Sequence, residues 1–196
     1  MKKIMLSLLT SVLMLVISSA SAQKVKLKEG DLSILKGITK MNVRYDYSNM
    51  AVGKFTSEAE YIEKKKADYN SKEAGKGDRW EKSWKADRER RFQPQFEELF
   101  YKYSKIELGD YPSEKYTLVL KTTFTEPGFN IYVTRKNALI NAEVWIEETA
   151  RPGHALVRIA INKSPGRTFG GYDYDTGERI EEAYAAAGKA LAKFLK

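Results

Sequence analysis

The stretch YTLVLKTTFTEPGFNIYVTRKNALINAEVWIEETARPGHALVRIAI, Tyr116 to Ile161, decides the fold. It holds most of the chain's β-branched and aromatic alternation. Pro-Gly pairs punctuate it: Pro127-Gly128 and Pro152-Gly153 inside, Pro165-Gly166 just after. Proline presets the first central position of a type II turn, and glycine accepts the positive φ of the second. Residues 116–125, 138–147 and 155–161 therefore read as neighbouring strands. One face of the first carries Tyr116, Leu118, Leu120, Thr122 and Phe124; one face of the second carries Ala138, Ile140, Ala142, Val144 and Ile146. In the third, Ala155, Val157, Ile159 and Ile161 point inward, with Leu156, Arg158 and Ala160 outward. Residues 129–133 between the first two are strand-like, either a bulged extension or an edge segment.

Working outward, Met41, Val43, Tyr45 and Tyr47 alternate with Asn42, Arg44, Asp46 and Ser48, so a fourth strand joins the sheet across a long connection. The lysine-rich lead-in 23–37 is expected to be flexible at its start. Ser57-Glu58-Ala59-Glu60 has the form of a capping box, and the helix that it opens should run to about Asn70. Asp78-Arg79-Trp80-Glu81 repeats that N-cap chemistry. Trp80, Trp84, Arg88 and Arg91 share one helical face, followed by Phe92, Phe96, Leu99, Phe100 and Tyr103, with Pro94 placed to kink or divide the run. The aromatic row reads as the stripe that packs onto the sheet, with an aromatic ligand box as the rival. Asp175 with Glu178 caps a last helix whose apolar stripe is Ile180, Ala183, Tyr184, Ala187, Leu191 and Phe194. The expected architecture is a single α+β domain over residues 23–196, of order β-α-α-β-β-β-α. Its sheet is mainly antiparallel, of about four strands, and is backed by helices.

Residues 1–22 read as a cleaved signal peptide: Lys2 and Lys3, an apolar run from Ile4 to Ile17, then Ala20-Ser21-Ala22 as the small-x-small site. The apolar run is shorter than the ~20 residues that a bilayer requires, so no transmembrane segment is expected after cleavage. There is no cysteine. That excludes disulfides, thiolate metal sites, cysteine nucleophiles and a lipid-bearing cysteine after the cleavage site. Losing Lys2 and Lys3 takes the formal charge from +8 to +6, a mildly basic protein with acids mixed through its bases. The address is therefore exported, periplasmic or secreted. Nucleic acid is not an expected partner; an envelope protein, an anionic glycan or a lipid is.

No cofactor, metal site or catalytic residue is legible. The sole histidine, His154, follows the Pro152-Gly153 turn and reads as an exposed turn residue. Asp173, Asp175 and Glu178 lack the glycine position and the distal acid of a calcium loop. Gly170-Gly171 has neither phosphate-loop ending. The basic run from Lys64 to Arg91 is laced with acids and reads as a solvated helical face, with an anionic partner as the alternative.

At Gly77-Asp78-Arg79-Trp80-Glu81 with Trp84, at Thr123-Phe124-Thr125-Glu126-Pro127-Gly128-Phe129-Asn130, and at Arg179-Ile180, Tyr184 and Gly188-Lys189, the chain resembles a group of uncharacterised exported proteins of Bacteroidetes. Its element order has a more distant shape resemblance to periplasmic transport-auxiliary lipoproteins, from which it departs by lacking the lipid-bearing cysteine. The resemblance implies export and carries no activity.

The functional expectation is a non-catalytic envelope component that binds or assembles. The alternative is a carboxylate-dependent hydrolase using Glu126, or Asp173 and Asp175. The candidate binding site is the sheet face away from the helices: Trp145 with Arg44, Arg158 and Lys121, and Val119, Leu139 and Leu156 as neighbours. It stands only if neither a helix nor the loop 169–174 covers Trp145; a covered Trp145 is core. Intact-mass measurement of exported protein is expected to show a chain starting at Gln23, and Ala22→Trp to block its release. Recovery of the full-length chain from membranes would overturn the leader reading.

Overall fold

The computed structural model describes residues 23–131, 133–166 and 175–196. Residues 1–22, expected as a leader, Tyr132, and residues 167–174, with the loop expected to reach Trp145, lie outside the described residues. In chain order the elements are β1 (Lys24–Gly30), a 3-10 turn (Leu32–Leu35), β2 (Lys40–Asp46), β3 (Ala51–Val52), α1 (Glu58–Asn70), α2 (Lys76–Asp87), a π-helical turn (Arg88–Phe92), α3 (Gln93–Ser104), β4 (Glu107–Gly109), β5 (Tyr116–Glu126), β6 (Phe129–Asn130), β7 (Arg135–Lys136), β8 (Ala138–Glu148), β9 (Ala155–Gly166) and α4 (Thr176–Phe194). The class is α+β. No described helix is long and apolar enough to cross a membrane.

The sheet corrects the expectation of about four mainly antiparallel strands. Seven strands run β1-β9-β8-β5-β2-β4, with β3 also on β5, and the sheet is mixed. Strands β5, β8, β9 and β1 pair antiparallel. Strands β2, β3 and β4 join in parallel. A parallel neighbour needs a long crossover, and the helical block α1–α3 supplies it between β2 and β4. Residues 24–30 are also corrected, from a flexible lead-in to an edge strand along β9.

Facing rows explain the core. Val43, Leu118, Ile146 and Val157 lie opposite one another across β2, β5, β8 and β9, as do Tyr45, Leu120, Val144 and Ile159 in the next inward row. Helices α3 and α4 cover this face. Phe96 and Phe100 are fully buried, Tyr45 meets Phe96 edge-on at 6.2 Å, and Phe92 stacks on Tyr184 at 5.1 Å. Gly188 lets α4 approach α3 closely, because a Cβ there would lie 2.3 Å from Phe96 O. Trp80 and Trp84 depart from the expectation by packing on Tyr61 of α1 at 5.7 and 5.1 Å.

Three local expectations change. A register shift between Thr122 and Phe124 turns Phe124 to the row of Asn141 and buries Thr125 instead, as one extra residue reverses the alternation. Helix α2 starts at Lys76, behind Gly75 at φ +77°, with Asp78 inside its first turn. The cap comes from α1: Asn70 Oδ1 accepts from Gly77 N at 2.7 Å. Pro127-Gly128 and Pro152-Gly153 turn as expected, with φ +64° and +90° at the glycines. Pro165-Gly166 stays in β9, beyond the last β1 pairing at Asn162, where an unpaired flank tolerates proline. Gly166 is demanded by contact, since a Cβ there would sit 1.9 Å from Arg179 O. At Ser57 the capping bond is as expected, Glu60 N to Ser57 Oγ at 3.3 Å, though Glu60 turns back on Thr56. Pro94 stands at the start of α3, just after the π-helical turn.

Ile140 is fully buried, whereas its neighbour Asn141 faces the other way and accepts from Lys163 N at 2.8 Å. Ile140→Ala should destabilise by about 2–5 kcal/mol in denaturant melts, and Asn141→Ala by about 1 kcal/mol. Equal losses would mean that the alternation is misassigned.

Candidate functional site

On the sheet face away from the helices, strand register sets one continuous row. Arg44 on β2 lies opposite Val119 on β5, Val119 opposite Trp145 on β8, Trp145 opposite Arg158 on β9, and Arg158 opposite Glu29 on β1. One row along are Asp46, Lys121, Glu143, Ala160 and Lys26. The structure therefore brings together Trp145, Arg44, Arg158 and Lys121, as well as Val119. Leu156 shares the outward face of β9 and is exposed. Leu139 is not part of the group: six residues along β8 is about 20 Å.

Trp145 is half-buried, and its surroundings centre on a residue that sequence reasoning missed. Glu147, two positions on and so on the same strand face, is 0% exposed. Its Oε2 accepts from Trp145 Nε1 at 2.9 Å and from Gly153 N at 2.9 Å, while Oε1 accepts from Arg44 Nη2 at 2.9 Å. Burial pushes this carboxyl up, but the Gly153 amide, the indole and Arg44 outweigh it, so the group stays ionised below the usual carboxylate range. The guanidinium of Arg158 sits 5.9 Å from the Trp145 ring centroid.

The charge of this face differs from the expected excess of bases. Each of the three cations has a carboxylate partner: Arg44 with Glu147 at 2.9 Å, Arg158 with Glu29 at 3.4 Å, and Lys121 with Asp46 at 3.6 Å. The indole is thus framed by ion pairs that offer donors and acceptors together. Pairing at the buried Glu147 fixes geometry; the Arg158–Glu29 pair is exposed enough for water or a ligand to compete, and the Lys121–Asp46 pair is half-buried.

The carboxylates of the hydrolase alternative lie elsewhere. Glu126 accepts from Gly128 N at 3.1 Å and pairs with Lys136. Asp173 lies outside the described residues. Asp175 caps α4, accepting from Gly177 N at 2.6 Å, and pairs with Arg91 at 3.1 Å. Arg91 also reaches Asp87 at 3.4 Å, and the three line a cleft of about 360 Å³ with Ser83, Trp80 and Trp84. Burial there pushes the Asp87 carboxyl up, and the nearby Asp175 charge adds to it against the pull of Arg91. Among the described residues no three His, Asp or Glu side chains converge to hold a metal. His154 is exposed.

Neither a family model nor a curated protein sequence matches the chain. Among solved structures, the chain is similar to the PelC dodecamer from Paraburkholderia phytofirmans, at 9% identity and a TM-score of 0.40, over 88% of this chain and 98% of that one. A point variant of the same dodecamer in another crystal form gives the same values. A likeness at that level carries no argument about this chain.

Glu147→Gln tests the hub, because one amide nitrogen must then face a donor. A loss of about 1–3 kcal/mol is expected at neutral pH. The folded carboxyl titrates below the unfolded one, so its stabilisation is complete above the unfolded carboxylate range and is lost as pH falls through the folded value. Melts across pH should therefore show the gap between native and variant protein shrinking on acidification. A gap that widens toward low pH would contradict the assignment.

Proposed function

We propose that this protein is an exported, non-catalytic component of a bacterial cell envelope, and that its outward sheet face binds a glycan. The leader-like stretch before Gln23 and the resemblance to exported Bacteroidetes proteins support the address. The observation that carries the binding reading is the half-buried Trp145 framed by the Arg44–Glu147 and Arg158–Glu29 pairs.

A sugar ring offers C–H groups to a flat aromatic surface and hydroxyls at its rim that both donate and accept. An indole with a paired base and acid on each side matches both requirements. A highly anionic ligand would have to displace the resident carboxylates from Arg44, Arg158 and Lys121, which weighs for a glycan of low charge over a lipid headgroup. The carboxylate hydrolase remains a second reading, with one observation in its favour: the raised Asp87 carboxyl beside Asp175 in a cleft.

One experiment separates them. Polysaccharide extracted from the native envelope is titrated into the protein by calorimetry, and reducing ends are counted in the same mixture. Trp145→Ala and Arg158→Ala should each weaken binding by about tenfold or more. Arg158→Ala, at an exposed position, should keep the native melting temperature. Unchanged affinity in both variants would reject the face as the site. Release of reducing ends that Asp87→Asn abolishes would favour the hydrolase.

A further inference from the structure

Between β5 and β8 the chain leaves the main sheet and returns through a separate ribbon, β6 paired with β7 as Phe129 opposite Lys136 and Asn130 opposite Arg135. Its tip is apolar and in water. Phe129 is 42% exposed, Ile131 60% and Val133 86%. These are three of the five large hydrophobic residues exposed among the described residues; the other two, Tyr101 and Leu156, stand singly on α3 and β9. Isolated surface hydrophobics need no explanation, but a cluster on one protrusion does.

The exposure is built in. Ile131 N donates to Thr134 O at 3.1 Å and Val133 N to Ile131 O at 2.8 Å, closing the turn through its own backbone. The base is clamped from inside the protein. Arg179, in the first turn of α4 and 4% exposed, donates from Nε to Pro127 O at 3.2 Å and from Nη2 to Gly128 O at 3.3 Å. Gly128 has φ +64°, and a Cβ there would lie 2.3 Å from Lys136 O, so outgoing and returning strands touch at the root. A buried arginine spent on two turn carbonyls holds the ribbon at a set angle to the sheet.

Cations gather around that root. Lys136 and Arg135 lie on the ribbon; Lys65 lines one cleft with Phe129, Phe55 and Tyr61, and Lys54 rests over the Phe55 ring at 5.6 Å. Lys136 is paired with Glu126. The patch therefore has an apolar tip and a positive collar. From the collar at Lys136 to the tip at Val133 is three residues, at most about 10 Å of extended chain. That matches the ~5–10 Å depth to which apolar groups enter the headgroup and acyl boundary of a bilayer.

From these features we infer that the ribbon is a membrane-surface anchor: Ile131 and Val133 enter the interface of a bilayer, with Phe129 at the level of the collar, while Lys54, Lys65 and Lys136 meet anionic headgroups. A convex apolar tip would require a matching socket in a protein partner, whereas a lipid interface takes any shape. The site is separate from the outward sheet face and does not depend on the glycan reading.

The test uses the chain freed of residues 1–22 and sedimentation with vesicles of phosphatidylcholine, alone or mixed with phosphatidylglycerol. The native chain should bind the mixed vesicles more tightly, and added salt should weaken that binding. The double change Ile131→Asp with Val133→Asp should lower it by about tenfold or more. Melting should be unchanged, because both side chains are already in water. Tyr101→Asp, an exposed aromatic elsewhere, and Trp145→Ala should leave vesicle binding intact. Absence of binding by the native chain, or equal binding by the double variant, would overturn the inference. So would a ribbon whose change abolishes self-association of a chain that ignores vesicles.

Discussion

In β5, β8 and β9 every second side chain is claimed by the helices, and this alternation governs nearly everything else about the molecule. Leu118, Leu120, Ile140, Val144, Ile146, Val157, Ile159 and Ile161 are essentially removed from water on one face. A slip of one residue would drive Trp145, Glu143 and Arg158 under the helices and expel that set. Register is therefore fixed by the core, and the outward row of charged and aromatic residues is a consequence of it. Where the alternation is broken, at the shift before Phe124, the break also reassigns which face a large aromatic occupies.

The outward face is ordered by electrostatics of a particular kind. An anion with no exposure is tolerable only if its oxygens are occupied by donors, and Glu147 meets that condition with an amide, an indole and a guanidinium drawn from a turn, its own strand and β2. The arrangement locks the Trp145 ring and the Arg44 side chain, which suits the proposed role of this face. A binding surface whose aromatic is already held loses less side-chain freedom on contact.

The central strands were legible because their apolar residues alternate over most of their length, and the last helix because its cap and stripe agree. The edge strand Lys24–Gly30 was not: Val25 and Leu27 do alternate, but Lys24, Lys26, Lys28 and Glu29 around them read as a solvated lead-in. The direction of β2 could not be read, since alternation has no polarity and only the path of α1–α3 sets it. Arg44, Trp145 and Arg158 could be placed on one face by parity; that they are cross-strand neighbours depends on register, which no single strand encodes. Glu147 was passed over because an acid at an alternating position normally faces water. The adjacent Pro152-Gly153 turn, which aims an amide back at it, was the available clue.

The pairing of β1 with β9 joins the beginning of the described chain to a segment some 130 residues later. Gln23 reinforces it, donating to Ser164 Oγ at 3.0 Å and to Ala186 O at 3.2 Å. During synthesis, β1 emerges well before β9 and has no partner until nearly all the strands between them have followed. Loop-closure entropy delays such a contact further. The nascent polypeptide therefore cannot complete its sheet early, and the earliest residues to arrive are the last to be seated. Until then, the lysines along that unpaired edge discourage it from pairing with a neighbouring molecule.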